Sequence, residues 1–373
     1  MKKNYLLFLA VLWMSFFMVS CSGSDDYEEV SPVTVDLSLV PYPKLSDYMF
    51  FKGELKNLDP ALHVLPYQPS SSLFADYSHK KRFVWMPVGA KATFNSNNTV
   101  LDLPVGAVLI KTFYYEDVQN ITPVGGERII ETRLMIRKST GWIFANYVWN
   151  AEQTEAFFDN EGSFTEISFM HEGTIKSTNY KIPAHEQCVV CHKRRQEIVG
   201  GGEETIFTPI GIKPQNLNWC YNYADGSKNQ LSKWVEAGYL ESGFTMPSAD
   251  QSVVNYEDTS KPLELRVRGY FDSNCSHCHS DMRHCDYRPM RFAYADSGNR
   301  TNMGVCVPTQ DMQDFPPALG TIVTPGNVNR SMLFHRINTT DETVRMPLHG
   351  RTLIHDEGVA MIAEWINSLT PCE

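Results

Sequence analysis

The chain has 373 residues, of which 42% are hydrophobic and 20% charged, with no low-complexity tract. That length supports more than one core and excludes a disordered or fibrous chain. The formal charge of −10 argues against a nucleic-acid backbone as partner and favours basic patches on partner proteins.

In chain order, Lys2 and Lys3 precede an apolar run over 5–19 that is too short and wrongly flanked for a comfortable membrane span. Residues 1–20 therefore read as a lipoprotein signal peptide. Met18-Val19-Ser20-Cys21 resembles a bacterial lipobox, in which Cys21 is lipidated and becomes the mature N-terminus. An ordinary signal peptide with an incidental Cys21 is the alternative. Ser22, directly after the cysteine, favours the outer membrane, and 21–34 forms an acidic tether. The expected location is the cell envelope, as an outer-membrane-anchored lipoprotein facing the periplasm or the cell surface.

Residues 35–182 read as a β-rich domain. Short β-branched and aromatic runs at 81–86, 107–113, 128–137 and 142–149 are punctuated by Pro87, Gly89, Pro104, Gly106, Gly125, Gly126 and Gly141. Strands at that spacing favour a β-sandwich or a small barrel. Asp76, Arg82, Glu131 and Arg133 could form a polar site there, although polar strand faces usually meet solvent.

The next segment, 183–263, opens on a predicted helix over 184–198 that breaks at Gly200-Gly201-Gly202. A turn-rich loop at 208–214 and a second helix over 229–240 follow. The last segment, 264–373, holds a helical approach at 265–271 and a loop-rich insert at 284–328, followed by the stretch 329–337. After Met346-Pro347 comes a closing helix over 356–369, with Val359, Ile362, Ala363 and Ile366 in one apolar stripe.

Each of these two segments carries one C-x-x-C-H: Cys188-Val189-Val190-Cys191-His192 and Cys275-Ser276-His277-Cys278-His279. Two thiols at that spacing reach two vinyl-derived carbons along one porphyrin edge, and the histidine that follows falls beneath the iron. The pattern predicts two covalently bound haem c groups, with His192 and His279 as proximal iron ligands. A zinc knuckle or a thioredoxin-like dithiol is the rival reading of C-x-x-C. It leaves the identical placement of His192 and His279 unexplained, and neither motif sits in a βαβ context. His277 should face outward, since residues inside the motif need only bridge the thiols. Of nine cysteines, Cys220, Cys285, Cys306 and Cys372 remain for disulfides in an oxidising compartment. Cys285–Cys306 with Cys220–Cys372 is the most local of three possible pairings.

On these residues 264–369 resembles a class I cytochrome c domain, with Met346-Pro347 as the distal ligand turn and Trp365 in the closing helix. More widely, 40–369 is similar to a family of exported diheme c-type cytochromes with a β-rich N-terminal region. The carrying residues are Leu73-Phe74-Ala75-Asp76-Tyr77, Arg82-Phe83-Val84-Trp85, Glu131-Thr132-Arg133-Leu134, Tyr147-Val148-Trp149-Asn150 and Asn229-Gln230-Leu231. The expected architecture is then α+β and multidomain, a β-sandwich-like domain followed by two mainly α, cytochrome c-like haem domains.

Candidate sixth ligands are Met346, 67 residues past His279, and Met246, 54 residues past His192, each followed by a proline. His185, His284, His335, His349 and His355 are alternatives. Two function classes follow. One is an electron relay between envelope redox proteins. The other is a peroxidase-like diheme enzyme with an open distal position at the first haem.

Overall fold

The computed structural model describes residues 30–372. The signal peptide 1–20, the lipidation expected at Cys21 and most of the tether 21–34 lie outside the described residues. A two-residue ribbon, β1 (Phe51–Lys52) with β2 (Asp59–Pro60), comes first. Then follow β3 (Leu65–Pro66), β4 (His79–Trp85), β5 (Val108–Val118), β6 (Gly126–Lys138), β7 (Gly141–Trp149), β8 (Ala156–Phe158), β9 (Ser163–His171) and β10 (Thr174–Ile182). These eight form one antiparallel sheet in the order β3-β4-β5-β6-β7-β8. The β9–β10 hairpin joins the far end of β5 through Val118 opposite Phe169.

Alternation along the long strands gives the sheet two packed faces. Phe83, Ile110, Leu134, Ala145, Tyr147 and Trp149 lie on one, covered by Tyr42, Tyr48 and Phe50 of the N-terminal coil. Polar tips in that core are satisfied internally. The Tyr48 and Tyr147 hydroxyls are 2.8 Å apart, and Trp149 Nε1 donates to Thr132 Oγ1 at 3.0 Å. On the other face, Val84, Leu109 and Trp142 share a core with Leu217, Leu231 and Trp234, which follow the first cysteine motif.

Two expectations are overturned here. The β-rich region is a single sheet and not a sandwich, because coil covers one face and the motif-bearing segments cover the other. Nor do two mainly α domains follow it: the protein is mainly β, and its helices are short. The helix predicted over 184–198 stops after α1 (His185–His192). The chain then forms a hairpin of β11 (Lys193–Glu197) and β12 (Glu203–Phe207). Gly200, Gly201 and Gly202 turn that hairpin at φ of +102°, +98° and +100°, values that side chains with a Cβ rarely adopt. Next come α2 (Pro214–Leu217), β13 (Cys220–Tyr223), β14 (Gly226–Asn229) and α3 (Gln230–Glu236), the last capped by the Asn229 side chain on the Leu231 and Ser232 amides. In the final segment α4 (Leu263–Asn274) and α6 (Asp356–Ser368) form near their predicted positions, and a further short helix, α5 (Met332–Ile337), lies between them. Between α4 and residue 316 the chain holds only turns, bends and isolated bridges.

The disulfide expectation is also corrected. Cys306 pairs with Cys372, their Cα atoms 5.9 Å apart, while Cys220 is an exposed thiol and Cys285 a buried one. The stretch 323–326 explains the pairing: Val323 accepts from the Cys306 amide, and the Gly326 amide donates to Ile366 O at 2.8 Å. It thus holds the end of α6 beside Cys306. The bridge closes a separation of 66 residues, so the Cys306→Ser/Cys372→Ser double variant should lose about 2–4 kcal/mol of stability. Urea denaturation checks this, and identical midpoints for wild type and variant would count against the bridge.

Candidate functional site

Helix α1 presents Cys188, Cys191 and His192 at positions i, i+3 and i+4, on one face. Its start is tied to the loop before β9, where the His185 amide donates to Asn160 O at 2.9 Å. Phe144 of β7 packs against His192, His185 and Phe207 with ring centroids 5.1, 5.7 and 5.2 Å away. His192 Nδ1 lies 2.8 Å from the Thr208 carbonyl. A carbonyl only accepts, so Nδ1 carries the hydrogen and Nε2 keeps its lone pair. Burial takes the His192 pKa down to about 4, which leaves the ring neutral at physiological pH.

The second motif leaves α4 as a tight turn, with Cys278 and His279 amides both donating to the Cys275 carbonyl at 3.1 and 3.0 Å. A cavity of about 380 Å³ receives Cys275, Cys278, His279 and Met346, walled by Phe271, Phe292, Ile322 and Leu333. Burial raises the Cys275 thiol to about 12 and lowers His279 to about 4. His279 is 8% exposed, and its Nδ1 has no partner among the described groups.

The Met346 loop is clamped. The Met346 amide donates to Arg336 O at 2.8 Å, and its carbonyl accepts from Arg351 Nε at 3.0 Å and Nη2 at 2.8 Å. Asp76, between β3 and β4, fixes residues 352 and 353 by accepting from the Thr352 and Leu353 amides at 2.7 and 2.8 Å. Met246 has no such placement: it is 39% exposed and does not line the cavity. His284, His349 and His355 do line it, whereas His185 packs on Phe144 and His335 on Phe315.

The two motifs meet. Val190 and Cys191 of the first line the same cavity as the second. Cys191 Sγ, Cys278 Sγ and a ring nitrogen of His277 all lie within 4.8 Å of one another. His277, expected to face outward, is instead 6% exposed with Nδ1 unpartnered. The cause is non-local. The Arg195 amide donates to Met282 O at 2.8 Å, and Arg283 Nη1 donates to Thr208 Oγ1 at 2.8 Å. These bonds turn the inner residues of the second motif onto the first.

Compared with protein-family models, curated proteins and solved structures, the chain matches none. The residues nevertheless fit a haem at each motif on their own chemistry: paired thiols, a neutral imidazole, and at the second motif a thioether on a largely apolar cavity wall. Several participants carry no sequence signal of their own. Phe144 is one more strand aromatic in the sequence, and Arg351 one more loop arginine. No helix among the described residues is long and apolar enough to cross a membrane.

Proposed function

We propose that the chain is a diheme c-type cytochrome relaying electrons between redox proteins of the bacterial envelope. Cys188, Cys191 and His192 would hold one haem, and Cys275, Cys278 and His279 the other, with Met346 as the sixth ligand at the second. The observation that carries this reading is the meeting of the two C-x-x-C-H motifs, Cys191 of the first lining the cavity that receives Cys275, Cys278 and His279 of the second, with a neutral imidazole in each motif. A bound haem supplies one-electron chemistry. The chain's own part is to anchor through thioethers, to orient His192 through Thr208, to hold Met346 through Arg351, and to exclude water with Phe271, Phe292 and Leu333. Lipidation at Cys21 would place the protein at the outer membrane, and the −10 charge suits basic partner surfaces and no nucleic acid.

A pyridine haemochrome assay on protein exported by a host that matures c-type cytochromes should find two haems per chain. The Cys188→Ala/Cys191→Ala variant should keep one. Fewer than two in the wild type would sink the reading.

One observation favours a second reading. Met246 is 39% exposed, which would leave the first haem without a buried sixth ligand and suits a peroxidase-like enzyme with an open distal position. A ferric high-spin haem that binds cyanide would favour that enzyme; two six-coordinate low-spin haems would favour the relay. Cys191, His277 and Cys278 alone would also suit zinc, but that leaves Cys188, His192, Cys275 and His279 without a role.

A further inference from the structure

Arg82, Lys111, Arg133 and Asn146 form a straight row across four strands. Register sets Arg82 opposite Lys111, Lys111 opposite Arg133, and Arg133 opposite Asn146. Neighbouring strands lie about 5 Å apart. All four therefore share one sheet face, the face that Phe144 uses to touch His192. Lys111 Nζ and Arg133 Cζ lie 4.6 and 4.3 Å from the centroid of one ring, that of Phe113.

Like charges directly opposite destabilise a sheet, and here three basic side chains stand in line. A polar strand face normally meets solvent, yet Arg82 is 7% exposed and Asn146 3%. Glu131 neutralises only part of the row. It is already committed to Arg133, with Nε at 3.0 Å, and to the Tyr180 hydroxyl at 2.7 Å. Among the described residues neither Arg82 nor Lys111 has a salt-bridge partner. Neither Oδ1 nor Nδ2 of Asn146 has a hydrogen-bond partner, an expensive arrangement for a buried amide. The row also borders the first motif. Phe144, two residues before Asn146 on β7, packs on His192 with ring centroids 5.1 Å apart.

We infer that this row is an anion cradle for the propionate carboxylates of the haem held by Cys188 and Cys191. The inference rests on the reading of the first motif as a haem site. Two basic side chains without acidic partners, Arg82 buried and Lys111 half-buried, next to an unpartnered amide call for a ligand that brings negative charge and hydrogen-bond acceptors together. A dicarboxylate edge brings both. Guanidinium forks and an amide donor suit carboxylate oxygens, and the cations would lower the cost of placing those carboxylates in a buried site.

The test uses the holoprotein and its Lys111→Met, Arg82→Gln and Lys111→Arg variants. Haem content by pyridine haemochrome and both reduction potentials by spectroelectrochemical titration are measured on the same samples. Lys111→Met and Arg82→Gln are expected to keep two haems and to shift one of the two potentials downward, because losing a cation beside the carboxylates favours the ferric state. Lys111→Arg should leave both potentials in place. Two haems with both potentials unmoved in both neutral variants would overturn the cradle. So would a wild-type holoprotein whose melting temperature rises with inorganic phosphate while those potentials stay fixed, since the row would then bind a free oxyanion. A wild type without haem would overturn the underlying reading, and the haemochrome assay reports that outcome separately.

Discussion

Met346→His should lower one of the two reduction potentials by on the order of 0.1–0.2 V, a fraction of the roughly 0.8 V range that axial ligands span. A thioether favours Fe(II), whereas a second imidazole stabilises Fe(III). The same substitution should remove the sulfur-to-iron charge-transfer band of that haem and leave the other unchanged. Arg351→Met offers an independent check. Arg351 donates to Met346 O, and also to Ile337 O at 3.2 Å and Leu353 O at 3.1 Å, so its loss frees the loop without touching the sulfur. A weakened, heterogeneous band in that variant, with haem content intact, is the expected result. An unaltered voltammogram for Met346→His would show that Met346 is not a ligand.

Local pattern made the main strands readable. The runs at 107–113 and 128–137 sit inside the observed β5 and β6 because β-branched and aromatic residues alternate there. The β9–β10 hairpin was not foreseen. Its turn, Glu172-Gly173 with φ of +46° and +77°, is an x-Gly turn between two alternating runs, and such a turn is a usable hairpin signal. What sequence could not supply was the identity of the covering layer. Arg82 and Glu131 look like solvent-facing strand residues by period alone. They are buried because other parts of the chain fold over that face, Tyr180 of β10 bonding Glu131 at 2.7 Å, contacts between positions far apart in the chain. His277 was misjudged for the same reason: motif spacing says what the thiols need and nothing of the second motif packing against Cys191. Six residues of the candidate site, the thiols and histidines of the two motifs, stand out in the sequence because each C-x-x-C-H is a contiguous signature.

Asp272→Ala should destabilise the protein by about 3–5 kcal/mol, the range for stripping one partner from a buried ion pair. Asp272 lies on α4, three residues before Cys275, with a side chain 1% exposed. It accepts from Lys213 Nζ at 2.8 Å, Asn216 Nδ2 at 3.0 Å and the Tyr294 amide at 3.0 Å. Lys213 and Asn216 belong to the segment after the first motif and Tyr294 to the segment after the second, so one carboxylate ties both motif-bearing regions together. Burial pushes the Asp272 carboxyl up, but Lys213 and the hydrogen bonds outweigh it and hold the pKa below the usual carboxylate value. Because the folded-state pKa is depressed, the stabilisation is present above the unfolded value of about 3.9. It is lost as pH falls through the lower folded value. Wild type should therefore lose an acid-dependent increment of stability that Asp272→Asn lacks, as measured by urea midpoints stepped down in pH. Lys213→Met/Asp272→Leu should cost less than the two single losses summed, because it strands neither charge. Strict additivity in that cycle would mean that the two side chains do not act as a pair, and that Asp272 holds α4 through Asn216 and Tyr294 alone.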